Sequence, residues 1–298
     1  MSRYDNRSAR GRKPDGLDQS ALRDLLARDD AWRRRDAALG LVDAAADGLD
    51  PETADALAET ARTDDDADVR QFAVEALGVA GERPDAIRAA LDDPQEWVRA
   101  EAVVALSRAA HDDVETLRAA LDDDSGWVRR NAVIALGKVD AVAGDRLVDC
   151  IKTDPVPAVR EYAAQYLGDA ATDVRRAERI LSALLARDPN AFVRAKAAES
   201  LGTLGTDRAE RALESHGVTD ASDDVVRTAS RALASARGVA VDELDAPEVE
   251  TEAPGTGPDA PADGSHSGFR SRRPGAPGGG PGFDPRKHLE TDPGNRRS

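Results

Sequence analysis

The sequence predicts an all-α superhelix built from about seven two-helix repeats. A Val-Arg pair, followed at helical spacing by Ala, Ala and Leu, recurs five times, with its arginines 29, 30, 31 and 34 residues apart. A period of this length is typical of a solenoid. Hydrophobic residues make up 40% of the chain but aromatic residues only 3%, so the core must consist mainly of Ala, Leu and Val. A core with so few aromatic residues suits closely packed helices better than a sheet, because sheets favour aromatic and β-branched residues.

The repeated motif predicts the second helix of each unit. Its five clear copies have Ala three residues and Leu seven residues after the Arg, which places the apolar side chains on one helical face. In four copies a Gly follows the Leu, where we expect it to end the helix in the left-handed conformation. Degraded copies near Arg34 and Val225 extend the array to seven units, since terminal repeats meet water on one face.

An apolar segment before each motif predicts the first helix of each unit. The segments are marked by Leu57, Ile87, Leu117, Leu147, Leu181 and Leu213. Between the two helices an Asp stands six residues before the Arg, and Pro follows it in three copies. This pattern predicts a turn that ends one helix and begins the next.

The D-x-x-x-x-V-R-x-x-A-x-x-A-L-G unit resembles the HEAT-like repeat of the phycobilisome-lyase family, over about 220 of the 298 residues. The resemblance implies that the Asp and Arg side chains form a ladder between adjacent units. Arginine suits this role because its fork satisfies carboxylates and helix-end carbonyls together. We therefore expect a structural role for Asp64, Arg70, Asp93, Arg99, Asp123, Arg129, Asp154, Arg160, Asp188 and Arg194.

The charged residues indicate a particular environment. The chain has 40 Asp against 17 Glu, 36 Arg against 5 Lys, and a net charge of −16. Many short carboxylates with few lysines indicate a salt-in halophile, and specifically a haloarchaeal source. There, charge repulsion is screened because the Debye length at about 1 M salt is near 3 Å. The alternative is an ordinary acidic protein from a GC-rich genome.

The ends of the chain differ from the repeats. We predict a basic arm over residues 1–16, the solenoid over residues 17–238, and a Gly/Pro-rich tail over residues 239–298, acidic at first and then basic. Neither flank can bury a core, so both are predicted to be disordered. The basic segments either contact nucleic acid or serve as solubilising extensions whose arginines contact the acidic solenoid; we favour the second interpretation.

Motifs for catalysis are not found. The four histidines are scattered without an H-E-x-x-H motif or any His-Glu pair, and Cys150 lies on an apolar helix, where a buried thiol is expected. The sequence therefore predicts no metal, no cofactor and no catalytic residue. With one cysteine, no secretory signal and no long apolar stretch, we expect a cytoplasmic monomer that does not associate with membranes.

The predicted function is a protein-interaction scaffold or adaptor that binds another protein on its concave face. The second helices of the middle units carry the candidate contacts Arg130, Asn131, Glu161, Tyr162, Gln165 and Lys196. The alternative is that these are ordinary solvated positions. Two further functions stay open: a lyase-type or metal-dependent oxidoreductase-type enzyme or enzyme subunit, which the resemblance suggests, and a nucleic-acid-associated protein that uses the basic arms.

Aromatic residues recur two positions before the ladder arginine. They are Trp97, Trp127 and Phe192, at the start of the second helix. Such side chains either grip a partner or fill the space between two helix ends, and we favour the packing role.

Overall fold

The structure is a computed structural model that describes residues 17–110, 112–139, 141–169, 173–241 and 244. It confirms the predicted all-α repeat fold, with fourteen helices in seven pairs and no β-strand among these residues. The predicted arm and nearly all of the predicted tail lie outside the described residues.

Each unit consists of a first helix followed by a second helix. The first helices are α1 (Gln19–Leu26), α3 (Pro51–Thr63), α5 (Pro84–Ala89), α7 (Val114–Ala119), α9 (Gly144–Thr153), α11 (Val174–Arg187) and α13 (Asp207–Ala212). The second helices are α2 (Ala31–Ala44), α4 (Ala67–Ala80), α6 (Glu96–Ala109), α8 (Gly126–Lys138), α10 (Pro157–Asp169), α12 (Ala191–Leu204) and α14 (Asp223–Arg237). Short 3-10 turns extend α2, α5 and α7, and a π-turn extends α13.

The turn between the two helices is built by the Asp of the motif. In five units this Asp ends the first helix in an extended conformation, with φ between −62° and −71°. Its carboxylate accepts a hydrogen bond of 2.7–2.9 Å from the backbone N–H two residues later. One side chain therefore both redirects the chain and satisfies a backbone donor at the start of the second helix.

The core lies between the two helices of each unit and between neighbouring units. The first helices contribute the residues that mark them in the sequence, and all six are buried: Leu57, Ile87, Leu117, Leu147, Leu181 and Leu213. The second helices bury the Val, the first Ala and the Leu of each motif copy. Small side chains on this face allow close approach of the helix backbones.

The glycine after the motif Leu has a different role from the one predicted. Gly78, Gly137, Gly168 and Gly202 lie inside their second helices, so the expectation that they end the helix was wrong. A Cβ atom at any of them would lie 2.4–2.6 Å from a side chain of the next second helix. Glycine is needed at these positions because the next second helix crosses there and leaves no room for a side chain. The left-handed residues that end α4 and α12 are Gly81 and Gly205, each three residues after the motif glycine, and Gly238 ends α14.

The two layers of helices pack differently along the array. Successive second helices lie side by side in extensive contact, whereas successive first helices touch far less. Because the second helices form the continuous, closely packed layer, we call them the inner layer of the solenoid. Side chains that project from this layer are the ones a partner in the concave surface would meet.

Candidate functional site

Six bidentate Arg–Asp pairs join the seven units. In each pair the Nε and Nη2 atoms of the arginine donate to the two carboxylate oxygens of the next unit over 2.7–3.0 Å. The Nη1 atom donates to the backbone carbonyl six residues earlier in its own unit. The pairs are Arg34–Asp64, Arg70–Asp93, Arg99–Asp123, Arg129–Asp154, Arg160–Asp188 and Arg194–Asp220.

The ladder includes two residues that the sequence-based set left out. Arg34 forms its first pair and Asp220 its last. The sequence alone could have indicated both residues. Arg34 lies three residues before Ala37, as each motif Arg lies before its Ala, and Asp220 follows Arg194 by 26 residues, a spacing similar to that of the other pairs. The pattern does not continue past either end. Six residues before Arg34 the chain has Arg28 in place of an Asp, and six residues after Asp220 it has Val226 in place of an Arg. The array therefore offers neither a spare ladder carboxylate nor a spare ladder guanidinium to another copy.

The ladder lowers the pKa of three of its carboxylates, Asp64, Asp123 and Asp220, in partly buried surroundings. The hydrogen bond from Arg194 lowers the pKa of Asp220, and burial opposes this only in part. At Asp123 burial is the largest effect and raises the pKa. The hydrogen bonds from Arg99 and from the Ser125 N–H together outweigh it and leave the pKa below its usual value. The ladder arginines are thus engaged within the solenoid and are not presented to a ligand.

An arginine clamped by aromatic rings lies at the centre of the inner layer. The Arg130 guanidinium carbon is 4.9 Å from the centroid of the Tyr162 ring and 5.9 Å from that of Trp127. Its Nη2 atom donates to the Tyr162 hydroxyl over 3.2 Å. Within the described part of the chain it forms no ion pair with a carboxylate. Arg35 occupies the equivalent position in the first unit, where its guanidinium carbon lies 5.7 Å from the centroid of one ring, that of Phe72.

The neighbouring polar residues continue this surface. Glu161 is partly buried, and burial raises its pKa while Lys196 and Arg130 act to lower it. Lys196 pairs with Glu199 over 2.6 Å. Gln165 follows Glu161 by about one turn of α10 and is also partly exposed. We call Arg130, Glu161, Tyr162, Gln165 and Lys196 the inner patch.

Asn131 differs from the other predicted contacts. It is 9% exposed, and its Nδ2 atom donates to the Ala100 carbonyl of the preceding unit over 2.9 Å. Its side chain therefore lies between adjacent second helices, which sets it apart from the more exposed predicted contacts. Glu101, at the same position of the preceding unit, is buried as well.

The predicted aromatic contacts are placed at the second residue of their helices. Trp97 is partly buried, whereas Trp127 and Phe192 are exposed. The structure adds Trp32, which occupies the same position in α2 and is also exposed. The sequence held a signal for it, since Trp32 stands two residues before Arg34, as Trp97 stands before Arg99. We call Trp32, Trp97, Trp127 and Phe192 the aromatic row.

Side chains that would hold a metal or act as a nucleophile do not converge in the described ranges. No group of three or more His, Cys, Asp or Glu residues there is arranged to hold a metal ion. Burial raises the pKa of the Cys150 thiol, and this disfavours the reactive thiolate. In the same part of the chain no helix is both long and apolar enough to cross a membrane.

The paired helices and the ladder define a helical-repeat solenoid. The family model that matches the sequence is described as HEAT repeats, and it matches residues 84–168 and 144–234, together just over half of the chain. The chain belongs to the HEAT-repeat family. No match was found among curated proteins.

Solved structures with similar folds come from several sources. Escherichia coli YibA is 22% identical with a TM-score of 0.56, over 78% of this chain and 88% of that one. An archaeal HEAT-like repeats protein from Thermococcus onnurineus is 16% identical with a TM-score of 0.48, over 75% and 98%. The complex of CpcE and CpcF of phycocyanin lyase from Nostoc gives 21% identity and a TM-score of 0.45, over 75% and 89%. The likeness to YibA supports the fold and nothing further.

Proposed function

We propose that the chain is a non-catalytic scaffold or adaptor that binds another protein on the inner patch. The observation that carries this proposal is the Arg130 guanidinium, held between the Trp127 and Tyr162 rings and not paired with any described carboxylate. Arginine and aromatic side chains contribute most of the binding energy in many protein interfaces. A guanidinium held in place before binding also loses little entropy when a partner arrives.

The surroundings of Arg130 support binding of a protein. Glu161 and Lys196 place charges of both signs beside the two rings, and Gln165 adds an amide. A mixed surface of this kind can match hydrogen-bond donors and acceptors of a folded partner. The closed ends of the ladder support a monomeric scaffold.

The proposal predicts that replacing Arg130 and Tyr162 together weakens partner binding by roughly 10- to 100-fold, the range typical of hot-spot residues. The partner would be identified by affinity capture of the tagged chain from its host in molar KCl, followed by mass spectrometry. Titration calorimetry would then compare the parent chain with Arg130→Ala/Tyr162→Ala. The far-UV circular dichroism of the variant should stay unchanged, because both side chains are partly exposed.

A matched control is Arg118→Ala/Val174→Ala, which changes two exposed side chains on first helices, away from the inner layer. It should bind the partner as the parent chain does. Equal affinity of the Arg130→Ala/Tyr162→Ala variant and the parent would contradict the inner patch as the binding site.

We also propose that the protein works in the cytoplasm of a salt-in halophile, and specifically a haloarchaeon. The excess of Asp over Glu and of Arg over Lys supports this, as does the charge of −15 on residues 17–238. The helical circular dichroism signal should be complete in molar KCl and should fall in dilute buffer, where repulsion between carboxylates is unscreened. A signal that stays fully helical in dilute buffer would contradict the proposal.

A further inference from the structure

The chain places its tryptophans and Phe192 at one repeat position, which is exposed in three of the four units that carry them. It has three tryptophans, and all of them belong to the aromatic row. Trp32 is 61% exposed, Trp127 47% and Phe192 46%. Large rings are costly to leave in water, and their repetition at one structural position gives a ligand that runs along the solenoid several contacts of one kind.

The spacing of the row suits an extended ligand. Its members stand at the second residue of α2, α6, α8 and α12, in the first, third, fourth and sixth units. Neighbouring helices pack at about 8–10 Å, so five steps span roughly 50 Å. An extended chain rises about 3.3 Å per residue, and a segment of about 15 residues therefore covers this distance.

The turns beside the row are acidic. Exposed carboxylates there include Asp29, Asp92 and Asp124, together with Asp122, which also pairs with Arg146. Asp92 and Asp122 lie at the C-terminal ends of first helices, where the helix dipole disfavours negative charge. Carboxylates in these turns attract a basic ligand that runs along the row.

Two rings of the aromatic row already contact arginine side chains of this chain. The Arg33 guanidinium carbon lies 5.1 Å from the centroid of the Trp32 ring, and that of Arg130 lies 5.9 Å from Trp127. A planar guanidinium stacks on an aromatic face, while an ammonium is a more strongly hydrated point charge.

We infer that the aromatic row and its flanking carboxylates bind an extended, arginine-rich segment of another protein. Arginines of the segment stack on the exposed rings, and the carboxylates of the turns attract it. Trp32 and Phe192 are not part of the inner patch, so this surface goes beyond the proposed function and is tested separately from it.

The test uses the full chain at the lowest KCl concentration that gives its complete helical circular dichroism signal. The ligand is a fluorescent 15-residue probe, Arg-Gly-Ser repeated five times, and it is compared with its Lys-Gly-Ser counterpart. Trp32→Ser/Phe192→Ser removes two rings without changing the charge. It should weaken binding of the arginine probe about 10-fold, because two exposed cation–π contacts are lost. The parent should bind the lysine probe several-fold more weakly than the arginine probe. The variant should bind the lysine probe about as the parent does.

The matched control is Val174→Ser/Val239→Ser, which removes two exposed apolar side chains outside the row and should bind both probes as the parent does. Equal binding of the arginine probe by the parent and by Trp32→Ser/Phe192→Ser would overturn the inference, since net charge alone would then explain it. Equal affinity of the parent for the arginine probe and the lysine probe would also overturn the inference. A parent dimer that becomes monomeric in the variant, as measured by sedimentation, would assign the row to a second copy and also overturn it.

Discussion

Replacing Arg129 by Ala is expected to lower the free energy of unfolding by about 3–5 kcal/mol, the range for removing one member of a buried ion pair. The Arg129 side chain is 13% exposed and that of Asp154 is 7% exposed. The substitution leaves the Asp154 carboxylate without its guanidinium. It also removes the donor that reaches the carbonyls of Asp123 and Asp124. Urea denaturation followed by circular dichroism measures the change.

The control for this prediction is Arg118→Ala. Arg118 pairs with Glu115 within one helix, and both side chains are far more exposed, at 45% and 85%. Its Nη2 atom also donates to the Ala141 carbonyl over 3.0 Å, and this bond is exposed as well. Its loss should change the free energy of unfolding by less than about 0.5 kcal/mol, because exposed pairs contribute little. If the Arg129→Ala and Arg118→Ala variants were equally stable, the ladder would not be a source of stability between units.

Replacing Gly78 by Ala should lower the free energy of unfolding by about 2–3 kcal/mol, near the upper end of the usual cost of overpacking. The new Cβ atom would lie 2.4 Å from the Cβ of Ala105 and 2.5 Å from its Cα. Backbone cannot move aside as a flexible side chain can, so α4 and α6 would have to separate. Thermal and urea unfolding of the variant and the parent give the difference.

Gly144→Ala provides the comparison. Gly144 is the first residue of α9, and an added Cβ there meets nothing within 4 Å. This variant should be as stable as the parent or slightly more stable, because Ala restricts the unfolded chain and favours helix. If the Gly78→Ala variant were also as stable as the parent, the close approach of α4 and α6 at Gly78 would be contradicted.

These two predictions concern different parts of one interface between units. Arg129 acts at the start of the second helix, where an ion pair joins the turns of adjacent units. Gly78 acts about eight residues further along an equivalent helix, where two backbones approach closely. Between them lie the buried Ala and Leu of the motif. The interface is therefore specified at both ends, and this explains why the same residue types recur at these places in unit after unit.

Local periodicity was enough to predict the repeat. The Val-Arg pairs and the alanines that follow Arg70 or Arg99 indicate helices without any knowledge of long-range contacts, because the 3.6-residue period acts within one segment. The Asp before each Arg marked the turn for a similar reason. Even the first and last ladder residues, Arg34 and Asp220, could have been found by extending the same frame.

Contacts between units depend on the distances between neighbouring helices, and the spacing of residues along one helix does not determine them. Asn131 and Arg130 are adjacent in sequence, yet one side chain is buried against Ala100 and the other stacks on Tyr162, 32 residues later. A step of one residue rotates a side chain about 100° around the helix, and the position of the neighbouring helix decides whether it is covered.

The sequence by itself determined that this chain is a helical-repeat solenoid of about seven units, and it indicated which Asp and Arg residues recur between them. Only the tertiary structure decided which surfaces are open. It placed Gly78 at a helix crossing and not at a helix end, and it brought Trp127 and Tyr162 around Arg130. The physical reason is that helix formation depends on neighbours within about one turn, whereas exposure and stacking depend on how closely whole helices pack.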